Sequence, residues 1–523
     1  MSETVQKRRG SDVLETWNGE AVPARDVPVL PVERFRRIVL EVLRAGGRLS
    51  ALFGRPAGDR VLLTAVLADD PEGKLGLLST EVSDAYPALS SEAPAAQGFE
   101  REVAEQWGIR PEGHPWLKPL RFEPPLRAAP DAFGRRDPRA TLPGEYPFFR
   151  VEGEEVHEVA VGPVHAGIIE PGHFRFQCHG EKVFHLEIVL GYQHRGVEAL
   201  LRGGPDRRSL VLAESIAGDT SVGHGLAYVK AVESLSGEAT PARALALRGI
   251  GLELERIANH VGDLGALAGD VGFLPTASYC GALRADFLNA LAEICGSRFG
   301  RGLLAPGGVK ADLGAEEARA LAARVRASWQ KVKGASSLLF ESPSVRARFE
   351  GTGTVARETA RELGLVGPAT RASGIDRDVR RDHAFGIYRF VHVPVTTFES
   401  GDVLARALVR ALESERSAEF VASQLENLPE GEVRGPLPAD GAGTARARPL
   451  APGSLVVSLV EGWRGEIAHV AITDARGRFE RYKVKDPSFH NWFGLAMALR
   501  DGQISDFPLC NKSFNLSYAG HDL

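Results

Sequence analysis

His165, Glu170 and His173 fall within one short stretch of this chain. Imidazole and carboxylate are the side chains that trade protons near neutral pH, and a carboxyl in a water-poor cleft is pushed up toward that range. A plainer reading stands beside this one: two hydrogen-bonded loop histidines, and a glutamate before Pro171 and Gly172 that shapes a turn. A second charged group, Glu253, Glu255, Arg256 and His260, has helical spacing and reads as a packing face with internal ion pairs. A third is the strip Asp376, Arg377, Asp378, Arg380, Arg381, Asp382 and His383. It suits either a charge relay or a structural salt-bridge network, and burying such a network is costly unless every member is paired. Soft-metal chemistry has little support: Cys178, Cys280, Cys295 and Cys510 form no Cys-x-x-Cys pair and read as buried small hydrophobes. Gly307 and Gly308 read as a turn, and no Gly-x-Gly-x-x-Gly follows a strand, so a nucleotide-binding fingerprint is absent.

These residues must be placed by the elements around them. Val32 to Ala45 carries Phe35, Ile38, Val39, Val42 and Leu43 at helical spacing, and Gly98 to Ile109 predicts a second helix stopped near Gly108. Between them, Arg48 to Gly54 and Arg60 to Ala68 read as strands. Six prolines between Pro124 and Pro147 mark a linker or strap. Strand-like runs follow at Val156 to Val164, His173 to Cys178 and Lys182 to Leu190. Pro241 leads a long apolar stripe from Leu245 to Val261, a helix opened by an N1 proline. Ala277 to Ala292 and Ala315 to Val332 continue the helical signal. A Pro/Gly/Ala-rich patch from Leu428 to Gly453 precedes strands at Leu455 to Val460 and Ile467 to Ile472. The spacing predicts an α/β chain of α+β type. Its parts are an extension (1–29), a ferredoxin-like α+β domain (30–122), a linker (123–149), and a mainly helical-bundle domain with flanking β-hairpins (150–523).

The chain has 523 residues, 43% hydrophobic and 25% charged, with 63 basic against 68 acidic side chains and a net charge of −5. That length fits more than one domain, and that balance gives no footprint for nucleic acid. Four cysteines suit a reducing compartment. The N-terminal stretch has no apolar core behind its arginines, so it does not read as a secretory leader. The longest apolar runs, such as Val61 to Ala68, fall far short of the ~18 residues that a membrane span requires. Membrane attachment would come through partner subunits.

Two stretches carry a family resemblance. Phe99 to Val103, Trp107 to Ile109 and Gly113 to Leu117 resemble the signature of the smaller peripheral subunit of complex I. Gly162 to His165, Glu170 to Phe176 and Gly191 to Glu198 resemble the opening of the large subunit shared by complex I and membrane-bound [NiFe] hydrogenases. Leu252 to His260, Gly307 to Asp312 and Arg371 to Arg380 follow in the family's order. The fused arrangement is most similar to the large subunit of formate-hydrogenlyase-type complexes.

The resemblance implies a metal site, and the residues remove it. In such hydrogenases two Cys-x-x-Cys pairs give four thiolates to nickel, because soft charged sulfur stabilises that metal. Ser215 to His224 resembles the first motif and places Ala217 and Thr220 at its thiolate positions. Ser513 to His521 resembles the second and places Ser517 and Gly520 there. The family's nickel enzymes also carry a cleaved C-terminal extension, and a chain stopping at Leu523 agrees with a lost metal. The quinone clamp of complex I, a histidine and a tyrosine, falls on Pro171 and Gly218, with His165 and His173 near enough to substitute as an acceptor pocket. Glu170 matches a proton-transfer carboxylate, and Arg464 an arginine overhanging the hydrogenase cavity. Asp219, the one ionisable group inside the altered first motif, has no counterpart in either parent family.

The resemblance therefore implies a peripheral core subunit on the cytoplasmic face of the inner membrane. It would dock on a small iron–sulfur subunit holding a [4Fe–4S] cluster and on antiporter-like and other membrane subunits. This chain itself would bind no metal, quinone is a possible acceptor, and NAD would be used only through another subunit. Three readings remain: an altered acceptor pocket, a non-catalytic transducer bracing the iron–sulfur subunit, and, least favoured, an active nickel–iron hydrogenase.

Overall fold

Strands whose side chains are buried alternately on two sides need a layer on each face, and the N-terminal unit is built that way. In the computed structural model, which describes residues 12–127, 130–135, 137, 142–435 and 449–523, β4 (Arg48–Ala57), β5 (Arg60–Asp69) and β6 (Lys74–Val82) form an antiparallel meander. β1 (Leu14–Trp17) pairs antiparallel with β6, and β3 (Val29–Leu30) pairs parallel with it. Along β5, Val61, Leu63, Ala65 and Leu67 enter a core roofed by α1 (Val32–Arg44) and α2 (Gln97–Trp107). Val66 and Ala68 face the main core on the other side, as a two-residue period requires. α2 ends where Gly108 takes a left-handed conformation (φ 65°). A small parallel pair, β7 (Ala85–Pro87) and β8 (Arg110–Glu112), flanks this helix.

The expected class, α+β, holds, but the ferredoxin-like order does not. The crossover from β3 through α1 to β4 passes over two strands, β6 and β5, where a split β-α-β unit passes over one. Short turns at Gly58 and Gly73 make consecutive strands neighbours, which gives a meander instead. Residues read as an extension also enter the fold. β1 and β3 join the first sheet, whereas β2 (Ala21–Pro23) pairs with β14 (Ser454–Gly462) of another.

The larger unit opens with the sheet of β9 (Val156–Val161), β10 (His173–His179) and β11 (Lys182–Val189). Next comes α3 (Ser221–Ser236), packed on β14 and β15 (Gly465–Thr473). Four long helices then contact one another in a ring: α4 (Ala242–Asp270), α5 (Leu274–Cys295), α6 (Ala315–Glu341) and α7 (Val403–Glu426). The two-stranded ladder of β12 (Leu304–Ala305) and β13 (Gly308–Val309) interrupts them. β16 (Phe479–Lys485) completes the second sheet, and α8 (Ser488–Ala498), α9 (Phe507–Phe514) and α10 (Tyr518–Asp522) close the chain. Among the described residues no helix is long and apolar enough to cross a membrane.

Charge joins the two units. Arg48 on β4 pairs with Asp70 and with Glu466 on β15, each at 2.6 Å, and Asp70 also takes Arg377 at 2.5 Å and His383 at 3.0 Å. Lys483 on β16 bridges Glu102 of α2 (2.6 Å) and Glu198 (2.9 Å). The segment read as a linker straps the first unit, with Arg127 donating to the carbonyls of Trp107 and Ser83, each at 2.6 Å. Positions 128, 129, 136 and 138–141 of that segment, and 436–448 of the later Pro/Gly/Ala-rich patch, lie outside the described residues.

Arg48 is buried between two carboxylates, so removing it strands charge at the junction. Arg48→Met should cost about 3 kcal/mol, typical of breaking a buried pair, read as a lower urea midpoint. An unchanged midpoint would show that this junction does not hold the units together.

Candidate functional site

The two motif segments meet. The loop before α3 carries Ala217 to Thr220, and the last turn of the chain carries Asn515 to Gly520. The two-residue turn between β14 and β15, where Gly462 pairs with Gly465, pushes Trp463 and Arg464 between them. Arg464 grips the Asp219 carboxylate through both outer nitrogens (2.7 and 2.8 Å) and donates its Nε to the Asn515 carbonyl at 2.5 Å. Trp463 Nε1 donates to the Asp219 carbonyl (3.0 Å) and to Thr220 Oγ1 (3.1 Å). From the opposite side Arg195 donates to the carbonyls of Ser215, Ile216 and Ala519. Burial opposes ionisation of Asp219, but Arg464 outweighs it and holds this carboxyl below its ordinary range.

The positions that the resemblance assigns to thiolates are filled by this packing. Ala217 is buried, and Thr220 Oγ1 donates to Asp219 Oδ1 at 3.0 Å. Ser517 caps α10 by accepting from the Gly520 N–H at 2.8 Å. A Cβ at Gly520 would lie 2.6 Å from Asp486 Cγ, so the direction a thiolate would take from position 520 is occupied by a carboxylate. Asp486 is itself held by His224 Nε2 at 2.9 Å. Behind it, His224 Nδ1 meets His469 Nε2 (3.1 Å), and His469 Nδ1 meets the Tyr482 hydroxyl (2.9 Å). Burial drives His469 well below the usual histidine range and Tyr482 well above the usual phenol range. One consistent donor order follows, in which Tyr482 donates to His469, His469 to His224, and His224 to the Asp486 carboxylate. Among the described residues no three His, Cys, Asp or Glu side chains converge so as to hold a metal ion. Neither the donor set nor the space fits a nickel–iron centre.

Glu170 belongs to the same cleft. Burial raises its pKa, while the charge of Arg464 and the nearby backbone N–H groups of Tyr518 and Ala519 pull it back. His165 Nε2 lies 3.2 Å from the Tyr518 hydroxyl, so an imidazole–phenol pair stands beside Glu170. His173 does not join them. Its ring packs on Phe148 at 5.3 Å and its Nε2 accepts from Arg175, because β10 turns it to the other side of the hairpin. Pro171 and Gly218 bring no hydrogen-bonding side chain, and a Cβ at Gly218 would meet nothing within 4 Å.

Deeper in, Glu255 on α4 accepts from the Val222 and Gly223 N–H groups at the start of α3 (2.7 and 3.1 Å). Burial pushes this carboxyl up to about 8; the two N–H groups oppose the shift and the charge of Asp219 adds to it. Asn515 also donates to Asp263 (2.5 Å), which pairs with Arg410 (2.7 Å). One helical turn away His260 meets Glu413 (3.1 Å), and Glu413 pairs with Arg371 (2.7 Å), which holds Glu461 (2.8 Å). The strip 376–383 divides here. Asp378, Arg380 and His383 are buried and paired, with Arg380 on Glu253 at 3.0 Å, whereas Asp376 and Arg381 pair at the surface.

Sequence reasoning missed His469, Tyr482, Asp486, Tyr518, Asp263 and Arg410 as site residues. Most lie far in sequence from their partners, and of the six only Tyr518 stood inside a quoted motif. Glu255 and His224 sat inside quoted motifs, but only the fold shows that one lies under Asp219 and the other behind position 520.

Residues 270–440 match the family described as respiratory-chain NADH dehydrogenase, 49 Kd subunit. Formate hydrogenlyase subunit 5 of Escherichia coli (strain K12) is 29% identical over 498 residues, covering 92% of this chain and 85% of that protein. The carbon monoxide-induced hydrogenase of Rhodospirillum rubrum is 31% identical over 361 residues, 69% of this chain and 97% of that one. Among solved structures, a chain of the membrane-bound sulfane sulfur reductase, an archaeal respiratory membrane complex, superposes with a TM-score of 0.66 at 25% identity. That match covers 72% of this chain and 100% of the other.

Two outcomes follow from this geometry. Gly520→Ala should destabilise the protein by about 2 kcal/mol, as overpacking does, and the loss should shrink when Asp486→Gly is added; purely additive unfolding energies would show no contact between the two. For Glu255, the native state keeps a proton that the unfolded chain releases above its ordinary value of 4.5. Its stabilising contribution is therefore complete below that pH and is lost as pH rises to about 8. Glu255→Gln should remove a slope approaching about 1.4 kcal/mol per pH unit, measured as urea midpoints from pH 5 to 8. Parallel curves for both proteins would refute the assignment.

Proposed function

Because the chain belongs to the superfamily that joins membrane-bound hydrogenase large subunits to the 49 Kd-type subunit of complex I, we propose that it is the peripheral core subunit of a membrane-attached oxidoreductase whose ancestral metal cleft now carries protons and no nickel. The observation that carries this reading is the bidentate Asp219–Arg464 pair set between the two segments that would otherwise present thiolates. Glu170 beside it has a raised pKa and lies at the surface end of the cleft. From there Asn515, Asp263 and Arg410 lead to the His260, Glu413 and Arg371 cluster inside the helix ring. A proton taken up at Glu170 would weaken its attraction to Arg464 and shift the balance toward the Asp219 pair. That change of charge would be felt along the buried chain.

In this reading electrons come from a [4Fe–4S] cluster in a small neighbouring subunit, and antiporter-like membrane subunits receive the coupled motion on the cytoplasmic face of the inner membrane. Any quinone would meet His165 and Tyr518, which stand 3.2 Å apart and offer a carbonyl both an imidazole and a phenol. NAD would enter only through another subunit. A second reading, a transducer that binds no acceptor, draws support from the clamp positions: Pro171 and Gly218 have no donor, and Arg464 already engages Asp219 through two hydrogen bonds.

Asp219→Asn and Glu170→Gln in the purified complex separate these readings. A proton-carrying cleft predicts electron transfer slowed roughly tenfold to a hundredfold, within the range of a lost general acid or base, with the complex still assembled. Unchanged rates in both variants would leave only the bracing role, and stoichiometric nickel in the purified complex would overturn the proposal altogether.

A further inference from the structure

On the far side of α3 from the motif cleft, a pocket of about 310 Å³ opens between the turn after β1, the second half of α3, the start of α4 and residues 385–390. Lys230 projects into it from α3. Its ammonium lies 2.8 Å from the Leu459 carbonyl, 3.4 Å from Asn18 Oδ1 and 4.2 Å from the centre of the Phe385 ring. Among the described residues it has no carboxylate partner. Glu233, one turn along the helix, is taken by Arg248 and by the Gly307 N–H. At the mouth of the pocket Arg389 makes, among the described residues, only a long contact to the Ala384 carbonyl, at 3.4 Å, and beside it Phe390 is 77% exposed. Burial and the nearby Arg389 charge both press the Lys230 amine toward its neutral form, which is the signature of a cation lacking a counter-ion.

Concave apolar walls with a few convergent polar groups are the usual make-up of a small-molecule site. Leu226, Leu245, Phe385 and Ile387 supply carbon to a lining that also holds hydroxyl, amide and charged side chains. Of the charged groups in the lining, Glu233 and Arg248 are paired with each other, and the Lys230 ammonium at depth and the Arg389 guanidinium at the rim together can hold a single carboxylate by charge-assisted hydrogen bonds. Glu238 on the rim opposes a second negative charge, which disfavours a phosphate dianion.

We propose that this pocket binds a small organic monocarboxylate, its head between Lys230 and Arg389 and its apolar body against Phe385. The proposal stands apart from the motif cleft and from any role there. Sodium benzoate, titrated calorimetrically into the full-length chain at low ionic strength, is expected to bind saturably at one site per chain. Lys230→Met and the rim variant Arg389→Ala should each weaken it about tenfold, the loss expected for one charge-assisted hydrogen bond. Inorganic phosphate should not displace it. Arg389 is exposed, so its variant tests the site even if Lys230→Met fails to fold. Absence of saturable benzoate binding, wild-type affinity in the Arg389 variant, or displacement of benzoate by phosphate would each overturn the proposal.

Discussion

One guanidinium makes the cleft a single object. Arg464 reaches three partners that the chain brings together from positions 219, 220 and 515, and no backbone ladder joins those segments to one another. A buried arginine cannot discharge itself by losing a proton, so it must be given an anion or remain uncompensated in a poorly solvated place. Asp219 answers that need in the geometry that planar forks prefer. Everything else in the cleft is arranged around that fixed pair: Trp463 closes over the Asp219 carbonyl, Asn259 accompanies it from α4 at 2.9 Å, and the chain end is seated by Asn515.

The same logic runs through the interior. α7 presents Arg406, Arg410 and Glu413 to the core, and each is met inside the protein: Arg406 by Ser513 and the Gly401 carbonyl, Arg410 by Asp263, and Glu413 by Arg371, Arg256 and His260. Such networks add little net stability, because desolvation offsets most of the Coulomb attraction. What they do is make one arrangement far better than its neighbours, since any shift leaves a charge unpaired. A helix ring tied in this way transmits displacement instead of absorbing it, as the proposed coupling role would require.

The elements that were legible in the sequence are those with clean periodicity. α1, β4, β5, α2 and β10 to β11 fall within a few residues of where spacing and punctuation put them, Pro241 and Gly108 mark real helix ends, and α4 begins where expected but runs past Val261 to Asp270. α7 escaped because its buried face, apolar at Val403, Val409, Val421 and Leu425, is interrupted by Arg406, Arg410 and Glu413, which breaks the stripe that identifies an amphipathic helix. α3 escaped for the opposite reason: nearly all of its residues are buried and many are small, which leaves no polar face for contrast. Of the candidate residues, Glu170, Asp219, Arg464 and His165 gather in one place, while His173 faces the other side of the hairpin because a strand alternates its side chains and β10 begins at that residue. Pairings such as His224 with Asp486 span 262 positions and leave no local trace.

Asp219 was the residue that neither parent family accounts for, and charge balance accounts for it. A cleft that holds a metal by thiolates carries several negative sulfurs beside Arg464, and the field of the whole cluster sets the arginine's environment. Remove the four sulfurs and, in the proposed state, the metal with them, and a buried guanidinium is left without its electrostatic complement. A carboxylate two residues beyond Ala217 and next to Thr220 restores that complement with two direct hydrogen bonds, and the Asp486 carboxylate fills the space that the second motif vacated. In the proposed reading, absent thiolates and the presence of Asp219 are two parts of one exchange, in which charge held in sulfur and metal gives way to charge held in carboxylates. Carboxylates titrate and thiolate-bound metal sites trade electrons, so the proposed exchange would move the cleft from redox chemistry toward proton chemistry.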